Sequence, residues 1–570
     1  MIVAIKCNKA LFCGFGASLI FLLFLSVPVT LFGEEQGTIV VSGGTLIDGN
    51  GGPPLQNAIV VIQDGKFSQV GRVGEVTIPA NSQVIDASGK TILPGFVDGH
   101  VHYRVWHGEL YLANGVTTIV DLGNADEWML ALIQARERGL IRTPRIFASG
   151  ARFGAPLSIR REKLFRYVAS HKHHFLFVDV EEVKKHIREK KKNGISVIKV
   201  DETWRKEDLQ EIAQAAHAEG MAIVGHATDP RDAANAGQDA IMHLYSIIVG
   251  TITDPVKLDA LYNREVDDIY SLMDPAAFPD LIELLVSENV ALNVMPSSHF
   301  WVKNEELYAQ EDARLFQLPG LQYIPLVARV NVARNHGKIQ SRTTSERANF
   351  KNHYLRFVRE FSEAGGKIIL GTDTVAFHLP GVGARRDLLA LHEAGVDAMT
   401  VIQAATKNPA ELYRLKDIGT VEPGKWGDLQ IIDGNPLENL GDLKNIETVM
   451  IGGEVIDTGF HAGYNNIFDR PYPEDIGPGL PPILRSIGPK SVSQGSSDLE
   501  ITVTGARFDQ YTNVLFGGTR LATTTINSNT LKAVVPARLL ESLGTFPVSL
   551  DDPRLLGDNS AHYGFIVDFE

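Results

Sequence analysis

The chain has 570 residues, 44% of them hydrophobic and 21% charged, which fits a globular protein of two or three domains rather than one. Acidic residues outnumber basic ones, 68 to 54, for a formal net charge of −14. That balance argues against nucleic acid as a partner, since no basic face is on offer to phosphates.

Residues 1–33 stand apart. Lys6 and Lys9 flank the start of an apolar stretch, "ALFCGFGASLIFLLFLSVPVTLFG". A basic start, an apolar core and a small residue, Gly33, before a polar segment predict a signal for export to the periplasm or beyond the cell. The stretch is also long enough to span a bilayer, so an uncleaved membrane anchor is the alternative. Both cysteines, Cys7 and Cys13, lie within it. A cleaved chain therefore offers no disulfide and no thiolate metal ligand.

Short alternating strands follow over residues 34–93: "TIVVSGGTLIDG", "AIVVIQDGKFSQVG" and "SQVIDASGKTILPG", punctuated by Gly and Asp as hairpins require. The same texture returns over 414–465 in "GTVEPGKWGDLQIIDG" and "IETVMIGGEVIDTG". The two stretches are expected to build one composite β-sandwich. Between them, over 94–413, strand and helix patterns alternate. "GVTTIVDLG" precedes "ADEWMLALIQARERGL", and "ISVIKVD" precedes "KEDLQEIAQAAHAEG"; "MAIVGHA", "AIMHLYS", "VALNVMP" and "KIILGTDT" come later. That repetition predicts an α/β fold, a (β/α)8 TIM barrel. Residues 299–350 are longer than a crossover needs and predict an insertion or lid near the barrel mouth. "RPYPEDIGPGLPP" marks a Pro- and Gly-rich linker over 466–482. Beyond it, residues 483–570 carry only β patterns and predict an immunoglobulin-like sandwich.

The segment "LPGFVDGHVHYRV" places His100 and His102 on alternate positions of an apolar strand. Residues i and i+2 share a face, about 6–7 Å apart at ~3.3 Å per residue. Two imidazoles converging from one strand can begin a metal site, although a strand with two hydrogen-bonded histidines is the plainer reading. More ligands are therefore needed. Barrel enzymes keep their chemistry at the C-terminal ends of the strands. There Lys199 sits inside "VIKV", His226 ends "MAIVGHA", His243 lies in "AIMHLYS" and Asp373 ends "KIILGTD". Each is polar within an apolar run, where burial alone is costly. One such residue has a bland explanation, such as a capping aspartate or a snorkelling lysine. Six at successive strand ends predict a metal centre.

These motifs, "PGFVDGHVH", "VIKV", "VGHA", "IMHL" and "LGTD", together with the return "IQAATKNPAELYRLKDIGTVEPGKWGDLQIIDGNPL", resemble the amidohydrolase superfamily over about residues 36–460. The lysine makes the chain similar to the two-metal branch that contains Xaa-Pro dipeptidases and imidazolonepropionase-related enzymes. The resemblance implies His100, His102 and Asp373 on one divalent ion, zinc in the first instance, and His226 and His243 on the other. It implies a Lys199 carboxylated by CO2 that bridges both ions, since a carbamate is an anionic ligand and an ammonium is not. It further implies a metal-bridged hydroxide that attacks an amide or peptide carbonyl, with Asp373 carrying the proton to the leaving nitrogen. Tyr245, Arg104 and His378, near motif ends, are candidates to touch substrate. The same centre could instead open a lactone or a phosphotriester, and a non-catalytic surface-binding protein is the third reading.

Residues from about 485 onward resemble the IPT/TIG family of sandwiches in "PPILRSIGPKSVSQGSSDLEITVTGARF", "VLFGG", "VVPARLLESLGTFPVSL" and "FIVDF". Such modules bind or space, which implies contact with a surface or a carbohydrate.

Overall fold

The computed structural model describes residues 37–124, 126–154, 174–176, 180–201, 204–243, 245–298, 305–374, 378–462, 464, 482–551 and 563–568. The expected export signal lies outside the described residues, as does nearly all of the expected linker.

Eight parallel segments close into a barrel. The first strand, Phe96–Val101, pairs with the second, Val116–Asp121, which pairs with the third, Arg145–Ala148. The third meets the fourth, Val197–Val200, through Ser196 N to Ala148 O at 3.1 Å. The fifth, Ala222–Gly225, sixth, Ala240–Met242, and seventh, Ala291–Asn293, follow in register. Residues 368–374 take the eighth position. They bridge to the seventh strand at Leu292 and return to the first through Gly99 N to Leu370 O at 2.9 Å and Asp373 N to His100 O at 2.7 Å. Helices Asp126–Glu137, Val180–Lys192, Lys206–Ala218 and Phe278–Ser287 are among those that cover the outside.

Period-two alternation explains why these strands read as apolar runs: both faces are buried. Val120, Val197, Val224, Met242, Ala291 and Ile369 meet in one cluster inside the barrel. Ile119, Ile198, Ile223, Ile241, Leu292 and Ile368 pack outward in the larger core shared with the helices. The inward face therefore fixes where a polar side chain at a strand end must point.

Strands from both ends of the chain share one eight-stranded sheet. Its order runs Glu454–Ile456, Ile446–Ile451, Leu429–Ile432, Thr91–Pro94, Ile39–Leu46, Leu55–Gln63 and Lys66–Arg72, with Gln83–Asp86 beside Ile39–Leu46. The seam is the antiparallel pairing of Ile431 with Ile92. This sheet holds the strand that leads directly into the first barrel strand.

The predicted insertion is helical where described: Glu305–Leu315, Leu326–Gln340 and Thr344–Asn349. Leu321, Ile324, Ala328 and Val332 pack on Trp106 and Leu110 after the first strand and on Leu379 and Val382 after the eighth. Arg386, fully buried, anchors the insertion: it donates to both oxygens of Asp312, at 3.0 and 2.8 Å, and to Glu311 at 2.9 Å. His336 lies 2.8 Å from the same Asp312.

The C-terminal region stacks a four-stranded sheet, built on Leu499–Ala506 and Thr530–Val535, with a five-stranded sheet, built on Asn513–Phe516, Gly544–Asp551 and Tyr563–Asp568. Ile501 and Val503 from one sheet share a core with Val514, Phe516 and Val548 from the other.

Candidate active site

The six strand-end residues gather at one end of the barrel. Three imidazoles surround one carboxylate: His102 Nε2 lies 3.1 Å from Asp373 Oδ1, His100 Nε2 lies 3.7 Å from the same oxygen, and His243 Nε2 lies 3.8 Å from Oδ2. One ligand atom each from His100, His243 and Asp373 fall within 4.8 Å of one another. The rings of His226 and His243 are 4.8 Å apart. Lys199, 1% exposed, shares the inner face with Val197, and its charge reaches His100, His226, His243 and Asp373. The tightest group thus crosses the two ligand sets that the resemblance implies.

Alternation alone delivers most of these side chains. Lys199 follows Val197 by two, His226 follows Val224 by two, and Asp373 follows Ile369 by four. His243 breaks the pattern, because it follows the inward Met242 by one and would point outward. Its φ of +69° turns the backbone into the left-handed region and brings the ring 4.9 Å from that of His100. Asp373 shares that backbone, at φ +47°. Non-glycine residues held there cost about 1–3 kcal/mol each and cluster at functional sites, although Asp and His tolerate it better than most.

Burial pushes His100, His226 and His243 well below the usual imidazole range, and the Lys199 charge adds to it, so all three are neutral donors of a lone pair. Asp373 feels opposing influences: burial raises its carboxyl, while any positive charge on His243, His100 or Lys199 lowers it, and the net direction is downward.

His100 has its tautomer set from behind. Its Nδ1 lies 3.0 Å from Asn293 Oδ1. Asn293 donates its own N–H groups to Gly371 O at 2.9 Å and Ile369 O at 3.4 Å, so the amide oxygen must face the imidazole. Nδ1 therefore carries the proton, and Nε2 turns its lone pair to the cluster, buried and without a hydrogen-bond partner. A buried bare nitrogen beside a carboxylate and a second imidazole suits a divalent cation, and the His/Asp donor set suits zinc. Asp98, fully buried, ties the first strand to the eighth by accepting from Thr372 Oγ1 at 2.6 Å and Thr372 N at 3.0 Å; burial pushes its carboxyl up to about 7.

The three substrate candidates fall in different places. Arg104 donates to Asn124 Oδ1 at 2.8 Å and to Tyr103 O at 2.9 Å, in a turn that Asp121 organises by accepting from Tyr103 N at 2.7 Å. Tyr245 opens the helix Tyr245–Gly250 and is 43% exposed. His378 is fully enclosed, with Nε2 3.0 Å from Ser297 Oγ, and burial draws it down to about 3. Asn293, Arg152 and Asp201 escape the sequence reading. Asn293 has a signal in "VALNVMP", a polar residue closing an apolar run like the others, whereas Arg152 in "GARFG" has none.

Comparison with known proteins bears on this arrangement. Residues 91–456 match the amidohydrolase family, and residues 482–565 match the IPT/TIG domain. Among curated relatives, an N-acyl-D-aspartate deacylase from Alcaligenes xylosoxydans xylosoxydans is 34% identical over 90 residues, which are 15% of this chain and 17% of that protein. A deacetylase from Agrobacterium fabrum is 41% identical over 88 residues, 14% of this chain and 21% of that protein. The matched stretches thus span about a fifth of those relatives' length. Among solved structures, molinate hydrolase superposes with a TM-score of 0.53 at 21% identity, covering 74% of this chain and 95% of that one. A Xaa-Pro dipeptidase with methionine bound in its active site gives 0.52 at 22%, covering 74% and 100%. At such identities these likenesses show the fold.

Proposed function

The chain belongs to the amidohydrolase family, and on that premise we propose that it hydrolyses an amide or peptide-type carbon–nitrogen bond with the help of two divalent metal ions, zinc in the first instance. The observation that carries the proposal is the Asp373 carboxylate ringed by His100, His102 and His243, with His100 Nε2 left bare by the Asn293 contact.

In this reading His100, His102 and Asp373 would hold one ion, and His226 and His243 would hold the other. Lys199 Nζ, as a neutral amine, would add to CO2 and lose a proton, and the resulting carbamate would give the ions an anionic ligand. Ions bound there would supply Lewis acidity and lower the pKa of a bound water toward neutrality. Asp373 would accept the proton of the attacking water on a carboxylate oxygen and return it to the leaving nitrogen. Its left-handed backbone holds it beside His102 and His100, so the proton acceptor needs no rearrangement.

The deacylase and dipeptidase relatives support an acyl-nitrogen bond as the target. The proposal extends to architecture: residues 34–93 and 414–465 as a composite β-sandwich beside the barrel, and residues 483–570 as a spacing or surface-binding module. It extends to export directed by residues 1–33, which the N-terminal sequence of the mature protein checks. The test of function is a hydrolysis screen of protein reconstituted with zinc and bicarbonate. N-acyl amino acids and Xaa-Pro dipeptides should be cleaved. Turnover of lactones or phosphotriesters alone would replace the carbon–nitrogen reading.

A further inference from the structure

Arg152 opens the short strand Arg152–Gly154, which lies beside the fourth barrel strand through the pairing of Phe153 with Val200. Phe153 and Val200 both pack in the outer core, so Arg152 faces the other way, into the barrel mouth. The residue is 6% exposed. Its Nη1 makes a long 3.5 Å contact with Asp201 Oδ1, and its Nε is fully buried with no hydrogen-bond partner.

The surroundings are those of the metal centre. A Cβ added at Gly123 would stand 3.3 Å from Arg152 Nε and 3.0 Å from His102 Cε1, so the guanidinium and that imidazole meet over the same bare glycine. Asp201 Oδ1, the guanidinium's long-range partner, is also 3.6 Å from His226 Nδ1. Arg152 therefore stands between His102 and His226, one from each ligand set. A guanidinium has five N–H donors and no acceptor, and burying it with a donor unmet is costly. Beside two cations it also makes the mouth more positive, which draws anions. Its planar fork is the natural receptor for a carboxylate.

We infer that Arg152 binds a carboxylate of the substrate, so that the substrates are N-acyl amino acids or short peptides with a free carboxylate near the scissile bond rather than neutral amides. This inference rests on the hydrolase reading above.

The experiment uses the full chain loaded with zinc and bicarbonate. It measures kcat/KM for N-acyl amino acids and Xaa-Pro dipeptides, each beside its C-terminal carboxamide. The acid should be preferred at least 10-fold. Arg152→Met should erode that preference by about 10- to 100-fold, mainly through KM, and Arg152→Lys should restore part of it, since a charged hydrogen bond has that worth. Inhibition of the wild type needs no variant: free amino acid products should inhibit more strongly than their amides. Equal turnover of acid and carboxamide would overturn the inference and leave the hydrolase standing. Equal loss on both substrates in Arg152→Met, with loss of metal, would also overturn it and make Arg152 a support of the centre. No turnover of either class by protein that holds its ions would overturn the hydrolase reading itself.

Discussion

Asn293→Ala tests the back of the proposed centre without touching a residue proposed to ligate metal. The wild-type amide accepts from His100 Nδ1 at 3.0 Å and donates to Gly371 O at 2.9 Å, all within a region where Asn293 is 1% and His100 0% exposed. Truncation leaves the imidazole free to place its proton on either nitrogen. It also strips a buried carbonyl of its donor, at about 1–3 kcal/mol. Loss of such a contact behind a ligating histidine costs about 10- to 100-fold in metal affinity, or about 1.4–2.7 kcal/mol. The assay is competition for zinc between metal-free protein and a chromophoric chelator, with circular dichroism to confirm the fold. Asn293→Asp, which keeps an acceptor facing Nδ1, should recover part of the affinity. A folded Asn293→Ala protein that binds zinc as tightly as the wild type would refute the tautomer argument.

Two further predictions concern the parts that frame the centre. Asp387 is fully buried, accepts from Ser297 N at 2.9 Å, and is pushed by burial from 3.8 up to about 7. A carboxyl raised on folding stabilises below its unfolded pKa and loses that contribution as pH rises from about 4 to about 7, by up to about 4 kcal/mol. Asp387→Asn should therefore raise the unfolding midpoint at pH 8 relative to wild type and change it little at pH 4; an equal change at both would contradict the assignment. Arg386→Met removes the cation that binds Asp312 and Glu311. It should cost about 3–5 kcal/mol and open residues 305–340 to limited proteolysis, whereas an unchanged cleavage pattern would show that apolar packing alone holds the insertion.

The centre was legible in the sequence because buried parallel strands are apolar on both faces. A lysine in "VIKV" or a histidine ending "MAIVG" is conspicuous against that background. The eighth position was equally plain from "KIILGTD", although the segment makes only isolated bridges there, at Ile368 and Thr374, rather than a full strand. What escaped depends on backbone conformation or on contacts across strands. His243 was itself named from "AIMHLYS", but the φ of +69° by which it reaches the cluster is something no pattern of hydrophobicity reports. Gly371 must be glycine because a Cβ there would lie 2.5 Å from His100 Cβ and 2.9 Å from Asn293 Nδ2, an exclusion set by residues 271 and 78 positions away. Arg152 sits in a three-residue strand too short to show a period. His378 stood near a motif end, but the fold encloses it against Ser297.

The central claim is that the strand ends hold two ions through a modified Lys199. Elemental analysis of folded protein, dialysed after loading with zinc and bicarbonate, tests it most directly beside the Lys199→Ala variant treated identically. The account predicts about two zinc ions per wild-type chain and a marked loss of metal and turnover in the variant. Wild-type protein that is folded yet retains no zinc, or a Lys199→Ala protein that keeps both ions and full turnover, would contradict it.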